Sequence, residues 1–446
     1  MSLPATVPVL AAPPLIGALL EFRDRRLDLL LRVVRECGDL ARVPLLHKTA
    51  HVLSSPSLIH AMLTEQASSF HKSAVLAKFS RPLMGNGMLV AEGGDHRRQR
   101  KLIAPGLKPG RIAGYAAAMA ALTEHAQRSW QDSSIIDVGA ELTKMTLEIA
   151  AQTMFSSSAA EHAEVVGAAV HINSQYMMDG ATSLVNVPFS WPTPTNRRVR
   201  ASIARLEKIV FDMIRHHRAA GDQGDILSML LAARDEDDGS TLSDAQVRDE
   251  VMTLFVAGHE TTASSLTWAL VLLARHPEIA ARLRQEADSV LAGRTPTFDD
   301  LPRLPYALQV FKETLRLYPP APVVGREAIA PVQLGSVQLP AGAWVLANIY
   351  GVHRRAELFA EPNRFNPDRF APEVARQLPR GALVPFGDGP RVCICNHFAM
   401  MEGQILLASL AQRVELQPLS STPIEAEALV TIRPKTAVRM RVKRRS

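Results

Sequence analysis

Between Ser243 and Pro277 the sequence contains no proline and no turn cluster, and apolar residues recur along its whole length. Ser243 and Gln246 form a capping box, each side chain satisfying a backbone N–H that the helix start leaves open. His276-Pro277 supplies the stop, because the residue before a proline is driven out of the helical region. At 1.5 Å per residue such a helix is roughly 48 Å long, enough to cross a whole domain. A chain organised around it is expected to be mainly α.

The remaining pattern agrees. Helical spacing is read over residues 22–37, 57–66, 112–155 (interrupted near Asp132), 277–292, 305–317 and from His397 onward. Residues 39–54 read as a hairpin turning near His47-Lys48, residues 323–349 as β-rich, and residues 429–442 as alternating strands. Residues 73–94 read as a long loop, and residues 355–392 as an irregular segment punctuated by prolines. There is no internal repeat and no linker. The expectation is one large helical domain over 1–446 with a minor β subdomain. Residues 1–20 would be a proline-rich arm and residues 439–446 a basic tail.

Composition closes off several classes. The chain is 47% hydrophobic and 21% charged, as expected of a globular protein with a large core. Three cysteines are no disulfide framework and point to a reducing, cytoplasmic setting. The net charge of +6 becomes −1 without the seven cations Arg433, Lys435, Arg439, Arg441, Lys443, Arg444 and Arg445. The basic character is thus that of a solvated tail, and nucleic acid is not expected as a partner. The apolar N-terminus is broken by four prolines and cannot span a bilayer, so no membrane anchor is expected.

Four stretches carry chemistry. Pro385-Phe386-Gly387-Asp388-Gly389-Pro390-Arg391-Val392-Cys393 is a tight loop ending at a cysteine, with a helical pattern just beyond. A thiolate there, at a helix N-terminus, would have a lowered pKa and suit a soft metal. Cys393-Ile394-Cys395-Asn396-His397 also has the look of half a zinc site, but Cys37 is isolated and four ligands are hard to assemble. In the long helix, Ala257-Gly258-His259-Glu260-Thr261-Thr262 is a poor helix interior, which marks either function or a contact through small residues. His259-Glu260 begins like a zinc-protease motif, yet position 263 is alanine. Glu313 and Arg316 share a helix face, either as a solvated pair or as a pin for the irregular segment that holds Arg369. The basic run at 96–101 is the fourth.

Taken together these motifs resemble, in order and over nearly the whole length, the cytochrome P-450 family of haem-thiolate monooxygenases. The resemblance is carried by Ala257–Thr262, by Glu313-Thr314-Leu315-Arg316, by Pro367-Asp368-Arg369-Phe370 and by Phe386–Cys393 with Ala399 and Glu402. One position departs from the family: Cys395 stands where glycine is usual. Taking Cys395 as the ligand instead would lose the match at Phe386 and Arg391.

The resemblance implies haem b with Cys393 as the axial ligand and Phe386 packed near the sulfur. It implies that His96, Arg100, Arg326 and Arg391 hold the propionates, and that Ala257 and Gly258 lie against the macrocycle. It gives Glu260 and Thr261 the acid and alcohol roles in proton delivery, and Glu313, Arg316 and Arg369 a structural network. The implied reaction inserts one atom of O2 into a hydrophobic molecule, by hydroxylation or epoxidation. Electrons would come from a separate ferredoxin or flavodoxin with its NAD(P)H reductase, docking near Arg97, Arg98 and Lys101. By position, the substrate pocket would include Val256, Val323, Val324 and Val430, with Met177, Met178, Leu184 and Val185 nearby. A monomer is expected. A peroxide-driven enzyme, a haem-binding sensor and a zinc-binding scaffold are the competing readings.

Overall fold

The computed structural model describes residues 7–445 apart from 47, 184–186, 235–238 and 240. The expected turn residue His47, and Leu184 and Val185 of the expected pocket, lie outside the described residues.

The long helix runs Asp244–Arg275, 32 residues, with both halves of the Ser243–Gln246 capping box formed. It is buried almost all round from Val247 to Leu273, which a helix can be only at the centre of a large core. Helices Val138–Phe155, Pro194–Ala220, Pro305–Leu317 and Asn396–Arg413 surround it. Near its C-terminal end Trp268 stacks face to face on Tyr318, with ring centroids 3.8 Å apart. His276 ends the helix, and Pro277 opens the next, Pro277–Leu291.

The β structure is peripheral. A five-stranded sheet has the order Leu40–Leu45, Lys48–Leu53, Trp344–Asn348, Val323–Ala328, Phe70–Lys72. Lys48–Leu53 pairs parallel with Trp344–Asn348, and Phe70–Lys72 lies antiparallel to Val323–Ala328 with Lys72 opposite Arg326. Residues 7–18 lie along the first hairpin, where Leu10 N–H donates to the Arg42 carbonyl at 2.9 Å and Leu10 is buried.

Two expectations are corrected. The loop expected over 73–94 contains a helix, Ala74–Met84, whose Phe79, Leu83 and Met84 are buried. Pro82 sits in its last turn, so the helix gives up the one bond that position would make to the carbonyl four residues back before Gly85 at φ 54° ends it. Only the following stretch up to Glu92 is irregular. The basic tail is likewise no tail. Arg439–Arg444 is the central strand of a three-stranded sheet, between Ile135–Asp137 and Val414–Pro418. Alternation turns Met440 and Val442 into the core and Arg439, Arg441 and Lys443 outward. Its charges are engaged: Arg444 donates to the Gln127 and Trp130 carbonyls, and Arg445 pairs with Asp288 at 2.7 Å.

Candidate active site

The cysteine loop is built by its own backbone. Cys393 N–H donates to the Phe386 carbonyl at 2.9 Å, closing the loop on itself. Gly387 and Gly389 have φ of 72° and 67°. A Cβ on Gly389 would also stand 2.0 Å from the Leu63 carbonyl oxygen, so glycine is required there on both counts. Asp388 accepts from Gly389 N–H and meets His60 Nδ1 at 2.9 Å, fixing the turn to the neighbouring helix.

The three metal-ligand types of the CxCxH run diverge. Cys393 is open to an internal cleft, Cys395 packs at the edge of the main apolar cluster, and His397 faces solvent. They do not form a chelate, and Cys395 acts as a small apolar filler. The helix after the loop begins only at Asn396. Cys393 is therefore short of its N-terminus, and the expected lowering of its pKa is not seen. Burial pushes the thiol up, against a backbone N–H of Cys395 and the charge of Arg100, which pull it down. A metal cation would deprotonate it outright.

Five cationic or basic side chains share one buried region beside this loop. His96 is buried on helix Gly93–Ile103, which rules out a surface histidine. Arg100 donates to the Val392 carbonyl at 2.8 Å, and Arg326 to the Gly325 carbonyl at 2.9 Å. Arg391 donates to the Ala91 carbonyl at 2.7 Å and pairs with Glu92. Lys72, which sequence reasoning missed, reaches the Leu89 carbonyl, while its backbone N–H meets Glu92 at 2.7 Å. Burial and mutual repulsion push Lys72 down to about 7, His96 to about 4 and Arg326 to about 10. The Glu92 carboxylate acts against this charge. A buried excess of positive charge is costly unless paired. The donor set fits a dianionic ligand, as the two propionates of haem would be.

On the long helix Ala257 is exposed although its neighbours Phe255, Val256 and His259 are buried. Thr261 Oγ donates back to the Ala257 carbonyl at 2.9 Å, and Ser265 Oγ to the Thr261 carbonyl at 2.8 Å. Such back-bonding loosens a helix turn. A Cβ on Gly258 would meet only the Met154 methyl at an ordinary 3.8 Å, so no protein atom demands glycine there. His259 is fully buried, its ring nitrogen Nδ1 at 2.6 Å from the Phe255 carbonyl, and burial pushes it down to about 4. It is a neutral core residue. Glu260 accepts a hydrogen bond from Thr431 Oγ at 2.8 Å, and burial holds its carboxyl above the usual range.

The irregular segment is pinned as the pattern suggested. Arg316 makes a bidentate pair with Glu313, Nε–Oε2 at 2.6 Å and Nη2–Oε1 at 2.7 Å, both side chains fully buried. Arg316 Nη1 donates to the carbonyls of His353 and Pro362, and Arg369 Nε lies 3.4 Å from Glu313. Buried pairing of this kind rules out the solvated alternative. Sequence reasoning missed His353. Its Nε2 accepts the Val384 N–H at 3.0 Å and its Nδ1 lies 3.2 Å from the Arg316 carbonyl, tying the network to the base of the cysteine loop.

The expected pocket residues separate. Ile432 N–H donates to the Pro320 carbonyl at 2.9 Å, which draws the turn holding Val430 beside the segment leading into Val323. Val323 packs at the edge of the main apolar cluster and Val324 at the edge of a second one, since successive strand residues point to opposite faces. Val256 is buried in the main cluster; Ala257, one position on, is the open residue. Arg97 and Lys101 are exposed on the helix that carries His96 and Arg100.

A family model described as Cytochrome P450 matches residues 8–440. Among similar proteins, cyclooctat-9-en-7-ol 5-monooxygenase of Streptomyces melanosporofaciens is 38% identical over 416 residues, 92% of this chain and 89% of that protein. Cyclooctatin synthase of the same organism is 38% identical over 393 residues, 87% of this chain and 85% of that protein. Pentalenene oxygenase of Streptomyces avermitilis is 34% identical over 441 residues, 98% of this chain and 96% of that protein.

Proposed function

The chain belongs to the cytochrome P450 family and is a haem b monooxygenase of hydrophobic substrates, and from that premise we propose that it oxidises a cyclic terpenoid at a site built on Cys393, Glu260 and Thr261. The observation that carries the site assignment is Cys393, open to the cleft, beside a buried group of cations that Glu92 partly balances. When bound, the haem supplies activation of O2 with two electrons and two protons, one oxygen atom going to substrate and the other to water.

The chain's own residues have the following parts. Cys393 binds iron as a thiolate and gives it electron density. Phe386, at the edge of the apolar cluster, keeps water from the sulfur. Arg100, Arg326 and Arg391, with His96 and Lys72, hold the propionates by charge-assisted hydrogen bonds. Ala257 and Gly258 leave room for the flat ring. The Thr261 hydroxyl, now given to the Ala257 carbonyl, can turn to donate into the cleft. Glu260 holds a proton at its carboxyl and moves it toward that hydroxyl.

Val323 and Val430 face the substrate. Cyclic terpenoids are favoured for this chain by its similarity to proteins named for pentalenene and cyclooctat-9-en-7-ol. Among the described residues no helix is long and apolar enough to cross a membrane. The whole chain is read as one catalytic unit, a monomer in the cytoplasm. Its electrons come from a ferredoxin or flavodoxin with an NAD(P)H reductase, docked near Arg97 and Lys101. The test is a spectral titration of the ferric protein with cyclic terpene hydrocarbons and alcohols alongside fatty acids. Terpenoids are expected to give the low- to high-spin shift and a product heavier by one oxygen. A response confined to fatty acids would remove the substrate assignment.

A further inference from the structure

The irregular stretch 85–92 is anchored on two sides. The Gly87 carbonyl accepts the N–H groups of Val90 and Ala91 at 2.8 and 2.9 Å, which makes residues 87–91 one compact turn. One side of the turn holds two of the buried cations: the Leu89 carbonyl accepts from Lys72 Nζ, and the Ala91 carbonyl from Arg391 Nη1 at 2.7 Å. The other side rests on the long helix. Asn86 N–H donates to Asp249 Oδ2 at 2.8 Å, and Met88 N–H to Glu250 Oε2 at 3.1 Å. A Cβ on Gly87 would collide with Thr253 Oγ and stand 2.6 Å from the Asp249 carbonyl oxygen, so the two backbones touch there. Glu250 and Thr253 are buried, and neither Glu250 Oε1 nor Thr253 Oγ has a hydrogen-bond partner among the described residues.

We propose that Glu250 is a positioning residue for the cofactor: as a neutral acid it clasps this turn to the long helix and so aims Lys72 and Arg391 at the propionates. This rests on the propionate site proposed above and adds what holds two of its cations in place. An ionised Glu250 would bury a charge beside the Asp249 carboxylate, with one backbone bond to meet it. A proton on Oε1 removes that charge and gives Thr253 Oγ, three residues on along the same face, a donor to accept. Burial pushes the Glu250 carboxyl up to about 7, the charge of Asp249 acting the same way and the Met88 bond against it. The other charges of the surrounding elements are engaged or face water. Arg248 bridges Asp249 and Glu207 at 2.8 and 2.6 Å, and Asp95 accepts from Asn86 Nδ2 at 3.1 Å. On the helices packed against the long one, Lys78, Arg81, Lys144, Arg205 and Lys208 are exposed. Glu141 and Glu148 accept from Trp130 Nε1 and the Ala159 N–H. An open clasp returns Glu250 to water and to its ordinary value of about 4.5. The clasp is therefore whole below about 4.5, weakens as pH rises to about 7, and weakens no further beyond.

Glu250→Gln keeps the shape of the neutral acid, its acceptor for Met88 and its donor for Thr253, at every pH. Hydrogen exchange of the peptide 85–92 in the ferric holoenzyme reads the clasp directly. The ratio of wild-type to Glu250→Gln exchange, taken at each pH, should rise by up to about tenfold per pH unit between about 5 and 7 and stay level above. Transfer of haem to excess apomyoglobin reads the effect on the cofactor. The same ratio of haem loss should rise over the same window. Glu250→Ala, which lacks the acceptor altogether, should lose haem about tenfold faster than Glu250→Gln. An exchange ratio that does not change with pH would overturn the clasp. An exchange ratio that changes while haem loss stays equal would overturn its link to the cofactor. Lys72→Met separates that result from a failure of the propionate site: faster haem loss in it leaves the site standing, and unchanged haem loss would remove the site together with the inference.

Discussion

Cys395 shows how a single side chain takes its meaning from where the backbone puts it. Two residues from Cys393, and as good a thiol, it packs on apolar neighbours while Cys393 faces the cleft. Cys393→Ser should therefore abolish the reduced-CO absorbance band of a thiolate haem, and Cys395→Gly should keep it. A band that survives the first change and not the second would transfer the ligand to Cys395. Glu313 offers a test of the structural network. Glu313→Ala would leave the fully buried Arg316 without its bidentate partner, a loss of about 3–5 kcal/mol for a pair of this kind. The expected result is a thermal midpoint lower by several degrees, with weaker haem retention. Both groups were legible in the sequence because their spacing is local. Lys72, Glu92, His353 and Thr431 were not, because each meets its site through a partner distant in sequence.

At the scale of elements, the long helix and the cysteine loop were read correctly from caps, prolines and glycines, all of which act over a few residues. The helix Ala74–Met84 was hidden by Pro82, which reads as a breaker but here costs the helix one bond close to its end. The strand Arg439–Arg444 was hidden by its charge, since only pairing on both sides shows it to be central. A solvated tail could be removed at little cost, whereas this strand cannot. Deleting residues 439–446 is expected to remove Met440 and Val442 from the core and expose two strand edges. The protein should then be recovered mainly as aggregate, and soluble truncated protein with a wild-type melting midpoint would contradict the sheet.

Across the whole molecule, buried titratable groups set a pH window. His259 and His353 are pushed down to about 4 and about 3, mainly by burial, so the unfolded chain binds more protons than the folded one below about 6.5. Glu250 and Glu402 are pushed up to about 7 and about 8 by burial, so above about 4.5 the folded chain binds more. The two pairs offset each other between about 4.5 and 6.5. Of these four groups only the carboxyls titrate above 6.5, and their contribution to stability falls by up to about 2.7 kcal/mol per pH unit until about 7, then about half that to 8, where the lowered Lys72 acts in the opposite sense. Below 4.5 the histidines remain, and stability falls as pH falls toward 3. The thermal midpoint of wild type relative to Glu402→Gln should fall as pH rises from about 4.5 to about 8. A difference between the two proteins that does not change over that range would contradict the assignment.

The sequence by itself determined the central helix, the thiol loop, the acid and alcohol beside Gly258 and the Glu–Arg pin, because capping, turn chemistry and helical spacing are settled within a few residues. Tertiary structure alone decided which of two thiols faces the cleft, which cations share one buried wall and which hydroxyl holds Glu260. Those outcomes depend on burial and on pairings between segments far apart in the chain, such as Lys72 opposite Arg326 and Thr431 against Glu260. Only packing brings such partners together, and only burial makes their charges count.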